Sequence, residues 1–123
     1  NNYVKDNVLE RPEQKKYSKE HLAMLTMICM LKQVLSIQDI SQLLKSLTEH
    51  TSKTELYDQF RIAQAKVLED ICLRVNQTAE EGKDALTKLA LELSIEANAR
   101  RTAAERILSE LAEEDAPKHN KKK

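Results

Sequence analysis

The feature that most limits the fold of this chain is its shortage of residues that break helices. The 123 residues include one glycine, Gly82, and two prolines, Pro12 and Pro117. So few breakers favour long helices and leave few places for the tight turns that join β-strands. Aromatic residues make up 3% of the chain, so aliphatic side chains must build the core. The sequence therefore predicts an all-α protein.

Two serines predict the starts of two short helices, because an N-cap hydroxyl accepts a hydrogen bond from a nearby backbone N–H. Ser18 precedes an apolar run that extends to Leu35, and Ser36 with Asp39 resembles a capping box. Apolar residues cover most of the circumference of the first helix, so we expect it to lie centrally. His21 is predicted to be a packing or hydrogen-bonding residue. Since few residues remain for the turn, the two helices must share a core.

Two longer helices are predicted to follow. Ser52 and Glu55 form a second capping-box pattern, which opens a helix expected to end near residue 80. Gly82 predicts a turn, and the last helix is expected over residues 84–114. Each helix carries one apolar stripe that it cannot bury alone. We therefore expect an antiparallel hairpin that packs on itself, on the shorter helices or on a second copy of the chain.

The cysteines and the hydrophobic stretches indicate a reduced, non-membrane protein. Cys29 and Cys72 each sit among apolar neighbours at helical spacing, so two buried, reduced thiols are expected. No spacing typical of zinc ligands is present. The longest apolar stretch, Leu22 to Leu31, is far shorter than the ~20 residues that span a bilayer, and the first residues do not read as a signal peptide. The expected location is the cytoplasm.

Charge is unevenly distributed along the chain, although its 20 basic and 20 acidic residues cancel. Residues 1–19 carry five Lys or Arg against three Asp or Glu, whereas residues 51–116 carry nine against fourteen. A basic surface with interleaved aromatics can neutralise nucleic-acid phosphates, although short basic clusters are also common on solvated surfaces. The basic and tyrosine side chains of this front end are Tyr3, Lys5, Arg11, Lys15, Lys16, Tyr17 and Lys19.

The sequence shows no catalytic pattern. It lacks a Gly-rich phosphate loop, a zinc-protease helix motif, a Cys-x-x-Cys pair and a nucleophile elbow. His21, His50 and His119 are far apart, and the carboxylates are spread along helical faces that we expect to be solvated. Because no nucleophile, acid–base pair or cofactor cradle can be assembled, we expect neither an enzyme nor a cofactor.

The first third of the chain resembles a known family. Tyr3-Val4-Lys5, Lys16-Tyr17 and the segment from Leu35-Ser36-Ile37 to Leu43-Leu44 are similar to the DNA-binding domain of MerR-type regulators. The run from Lys15 to Ile40 resembles more closely still the bacterial family called domain of unknown function 1836. Members of that family carry the same MerR-like arrangement. The motifs on which the resemblance depends all lie within residues 1–44.

The resemblance implies a domain organisation. Residues 1–50 would form a partial MerR-like winged helix, with a short helix, a wing loop and a two-helix core. Residues 51–114 would form the long antiparallel hairpin, through which we expect a homodimer because MerR-type proteins usually dimerise through C-terminal helices. Residues 115–123 would be a disordered basic tail.

The resemblance also implies a function, that of a MerR-like regulator of transcription that binds double-stranded DNA. The first helix of the motif is missing, so we expect a truncated form of a longer parent. The alternative is a helical module for protein–protein interaction or oligomerisation without nucleic-acid binding. The residues carried over are Asn1, Asn2, Tyr3 and Lys5 at the end of the recognition helix, and Lys15, Lys16 and Tyr17 at a wing that touches phosphates.

Overall fold

A computed structural model of the chain describes residues 18–115. All regular structure in this range is helical, which confirms the all-α prediction there. The predicted short helix and wing loop before Ser18, and the predicted tail from residue 116 onward, lie outside the described residues. The helices are α1 (Lys19–Leu31), α2 (Ile37–Thr48), α3 (Lys53–Ala79) and α4 (Lys83–Glu114).

Local interactions set the starts of the helices where the sequence predicts them. Ser18, Ser36 and Ser52 each accept, at 3.1 Å, a hydrogen bond from the backbone N–H three residues further on. Each hydroxyl thereby satisfies a donor that the first turn of a helix leaves unpaired. Gly82 lies between α3 and α4 with a φ of 108°, in a region of backbone space that side chains disfavour. The predicted turn is therefore confirmed.

The core lies at one end of the molecule, in a head formed by residues 18–61 and 104–115. Here α1 packs mainly against α3, and α2 packs against α4, so the base of the hairpin is part of the head. The first two helices share this core, as predicted, and five residues connect them. The buried members of the core are Met24, Met27, Ile28, Leu35, Ile40, Leu44, Leu56 and Leu108.

Helix α1 is buried along one face only. Met27 and Ile28 are among the most buried side chains of the described residues, but Leu22 is 52% exposed and Met30 is also exposed. The prediction that this helix lies centrally is therefore confirmed for one face only. Within residues 18–115 its one large contact is with α3, which covers a single stripe and leaves the opposite apolar side chains in solvent.

Both cysteines are exposed free thiols, so the prediction of two buried thiols is wrong. Cys29 follows the fully buried Ile28, and successive residues on an α-helix point about 100° apart. Cys72 follows Ile71 on α3, and Ile71 is itself 36% exposed. Apolar neighbours in the sequence therefore do not predict that a cysteine lies on a buried face of its helix.

Beyond the head, α3 and α4 continue side by side as an antiparallel arm, residues 62–103, which confirms the predicted hairpin. The predicted apolar stripes are only partly covered, and Leu89 is the one fully buried residue of the arm. No helix among residues 18–115 combines the length and the hydrophobicity needed to cross a membrane. The large apolar side chains that the arm exposes are Ile62, Val67, Leu68, Ile71, Leu73, Leu91 and Ile95.

Candidate nucleic-acid interface

The predicted DNA-contacting residues precede the part of the chain that the structure describes. The described residues begin at Ser18, directly after the predicted wing, and the helices that follow can be described in detail. The residues concerned are Asn1, Asn2, Tyr3, Lys5, Lys15, Lys16 and Tyr17, all of which lie outside residues 18–115.

The chain is anchored to the core immediately after the predicted interface. Ser18 is extended, with φ −74° and ψ 170°, and its Oγ accepts from the backbone N–H of His21. The His21 side chain is 8% exposed, which confirms that it packs rather than faces solvent. Met24, one turn later, belongs to the core cluster. The described chain therefore joins the core within about two helical turns of Ser18.

A shallow cleft of about 330 Å³ lies beside this anchor, between α1 and the start of α3. Its lining is mostly apolar, with one basic residue, Lys19. On the α3 side Tyr57 stacks with Phe60, with ring centroids 6.3 Å apart and planes inclined at 18°. The lining residues are Lys19, Leu22, Ala23, Thr26, Thr54 and Tyr57.

The described part of the head has no basic excess of its own. Residues 18–61 and 104–115 together carry six basic and ten acidic side chains. A surface with a net negative charge does not by itself attract a phosphate backbone. The basic excess of the N-terminal half of the sequence is therefore confined to residues 1–19, which carry five Lys or Arg against three Asp or Glu.

A second concave surface, a groove of about 610 Å³, runs along the arm. The Arg74 guanidinium donates two hydrogen bonds to the Glu96 carboxylate, at 3.1 and 2.8 Å, and it lies 3.7 Å from Glu92. This hydrogen bonding lowers the pKa of Glu96 and raises the pKa of Arg74. The groove is lined by Val67, Asp70, Ile71, Arg74, Leu93, Glu96, Ala97 and Arg100.

This groove was not predicted from the sequence. Val67 and Ile71 belong to the apolar stripe of α3, and Arg74 falls three residues after Ile71 on the same face. A charged residue within an apolar stripe was the available signal. No group of three or more His, Cys, Asp or Glu residues within positions 18–115 is arranged to hold a metal ion.

The family described as Domain of unknown function (DUF1836) matches residues 1–63, about half of the chain. The chain belongs to the DUF1836 family. The matched region takes in the predicted interface, α1, α2 and the first turns of α3, and it ends about where the arm begins. Neither the curated proteins nor the solved structures contain a match to the chain.

Proposed function

We propose that this DUF1836 protein is a MerR-like, DNA-binding regulator of transcription. The observation that carries the proposal is that the family match covers the basic front end and the helices α1 and α2 as one unit. The sequence resemblance of residues 1–44 to MerR-type domains supports the same conclusion. The anchoring of Ser18 and His21 to the core supports it further, since a DNA-contacting segment needs a rigid base.

In this proposal each part of the chain has a separate task. Asn1, Asn2, Tyr3 and Lys5 end the helix that enters the major groove, and the wing around Lys16 contacts phosphates. Helices α1 and α2 hold the wing in place. The chain acts as a homodimer joined through its C-terminal helices, so that two heads reach two half-sites of a near-palindromic operator.

Charge reversal at the predicted wing tests the proposal. The variant K15E/K16E is compared with K83E/K88E, a matched control that changes the net charge equally but lies at the far end of the arm. Binding to a fluorescent duplex is measured by anisotropy at about 50 and 200 mM salt, using the longest natural form of the protein. We expect the wing variant to weaken binding at least about tenfold and to lower the salt slope by about 2, whereas the control stays within about threefold.

Two outcomes contradict the proposal. The first is absence of binding at about 50 mM salt, where even non-specific phosphate contact is strong enough to detect. The second is an equal loss of binding in both variants, because it would show a dependence on overall charge rather than on Lys15 and Lys16.

The second candidate function, a helical interaction module without DNA binding, is favoured by the surface of the arm. Residues 62–103 carry six basic and seven acidic side chains and expose seven large apolar ones. A nearly neutral surface with several exposed apolar side chains is typical of protein contacts rather than of phosphate binding. Under this function K15E/K16E leaves every binding property of the chain unchanged.

A further inference from the structure

We propose that the cleft between α1 and α3 binds the N-terminal segment of the same chain, residues 1–17. In this arrangement Val4 and Val8 of the segment pack against Leu22 and Tyr57 of the cleft. A segment held in this way presents its basic side chains to solvent, so Leu22 and Tyr57 act as positioning residues for it. The contact is a property of the chain alone. Its purpose, which is to hold the DNA-contacting residues in place, rests on the proposed function.

The first argument is that the cleft leaves apolar side chains uncovered. It has a volume of about 330 Å³ and mostly apolar walls. Leu22 lines it from α1 and is 52% exposed. Tyr57 lines it from α3 and is half-buried, and its ring stacks on Phe60, which packs against the core. A concave apolar surface with a fixed wall of this kind is typical of a binding site.

The second argument is that the cleft lies wholly within the unit that the family match defines. Its lining residues fall within positions 19–57, and the match covers residues 1–63. The long helix α4 contributes none of them. The matched unit therefore contains both walls of the cleft and, ahead of them, residues 1–17. Because the elements of one domain pack around a shared core, this segment is the first candidate to cover the cleft.

The third argument is that the chain enters the head at the rim of the cleft. Lys19 is a lining residue, and Ser18 directly precedes it in an extended conformation. Val8 lies ten residues before Ser18, and ten extended residues span up to ~33 Å. Leu22 lies only about one helical turn beyond Lys19. The intervening chain is therefore long enough to turn back and bring Val8 to Leu22.

The fourth argument is energetic and separates a tethered occupant from a free one. A short flexible connection gives an effective concentration of about 1 mM, so a tethered segment fills the cleft once its own Kd is below that value. Burial of two valine side chains supplies roughly this thousandfold in binding constant. A free partner at about 1 µM needs roughly a thousandfold more, and standard interfaces use about 20–30 residues on each side. Six residues line this cleft, which suits the tethered segment.

The fifth argument concerns the side of the segment that remains free. Val4 and Val8 are four residues apart, so they share one face of the predicted short helix. Asn2 and Tyr3 point at least about 100° away from both valines on such a helix. Packing of the valine face in the cleft therefore turns Asn2 and Tyr3, which the proposed function places at DNA, toward solvent. The contact that covers Leu22 also orients the DNA-contacting side.

A double-mutant cycle measured without DNA is the first test. Val8→Ala, Leu22→Ala and the double variant are unfolded in urea, and their unfolding equilibrium constants are compared with that of the wild type. Side chains in contact make the double effect differ from the product of the single effects by at least about threefold. Val8→Ala with Leu73→Ala is the matched control, because Leu73 is 54% exposed but lies in the arm, and these effects are expected to multiply within about twofold. Multiplicative effects for Val8 and Leu22 overturn the proposal.

Protein concentration then separates the tethered segment from a second copy of the chain. A contact within one chain gives the same coupling between Val8 and Leu22 at about 2 and 100 µM, whereas a contact between copies strengthens with concentration. A coupling that grows with concentration therefore overturns the proposal in favour of a second copy. The purified chain contains no other protein, so a coupling that is present in it does not come from a different partner. Circular dichroism before urea is added verifies that each variant is helical.

DNA binding by the longest natural form of the protein tests the positioning role. Leu22→Gln is expected to weaken binding at least about fivefold with an unchanged salt slope, because the same phosphate contacts form once the segment is in place. Leu73→Gln is the control and is expected to stay within about twofold. Unchanged affinity in Leu22→Gln refutes the positioning role. Absence of DNA binding by the wild type refutes the proposed function instead, while the double-mutant cycle still decides the contact.

Discussion

Replacing Ile40 by alanine is expected to remove a large share of the stability of the head. Ile40 is 0% exposed, and it and Leu44 are the two buried residues of α2. Truncation of a buried isoleucine to alanine costs about 2–5 kcal/mol, from the lost burial and the cavity that remains. The better helix propensity of alanine returns about 0.4 kcal/mol. We therefore expect the free energy of unfolding to fall by about 2–4 kcal/mol, within a total of about 5–15 kcal/mol for a small protein.

Urea denaturation followed by circular dichroism at 222 nm measures this loss. With a slope near 1.5 kcal/mol/M, a loss of about 3 kcal/mol lowers the midpoint by about 2 M. The matched control is Ile62→Ala, the same substitution in a helix at a residue that is 66% exposed. Its free energy of unfolding is expected to change by less than about 0.5 kcal/mol.

The comparison between the two alanine variants decides whether the reasoning holds. Equal midpoints for Ile40→Ala and Ile62→Ala would refute it, because the argument depends on the burial of one isoleucine and the exposure of the other. A change in the slope as well as the midpoint would instead indicate that α2 unfolds separately from the rest of the head.

Two further predictions concern the arm. Gly82→Ala is expected to destabilise the chain by about 1–3 kcal/mol through backbone strain, because Gly82 combines φ 108° with ψ −179°. The new Cβ would meet no atom within 4 Å, so a steric clash does not contribute. An unchanged urea midpoint would contradict this prediction. Glu96→Gln tests the ion pair with Arg74. Because the folded-state pKa of Glu96 is lowered, its contribution is present above the ordinary carboxyl pKa and is lost as pH falls through the folded value. The urea midpoint of the wild type should therefore be higher than that of Glu96→Gln at neutral pH. The difference between the two midpoints should shrink below a pH of about 4. A difference that does not depend on pH would argue against the ion pair.

The family and the all-α fold of residues 18–115 could both be predicted from the sequence. The resemblance of residues 1–44 to the DUF1836 family is confirmed by the match over residues 1–63. The DNA-contacting residues, from Asn1 to Tyr17, remain a prediction, since they precede the described part of the chain. The groove of the arm was missed, because Arg74 and Glu96 are 22 positions apart and only the antiparallel pairing of α3 and α4 brings them together.

The sequence by itself determined the secondary structure of the described residues, because the interactions responsible act over a few residues. Ser18, Ser36 and Ser52 each bond to a backbone group three positions away, and the turn at Gly82 depends on its own backbone angles. Only the tertiary structure decided which part of each apolar stripe is covered. Periodicity makes a face available for packing, but cover depends on where another helix lies, which is why Ile28 is buried while its neighbour Cys29 is in solvent.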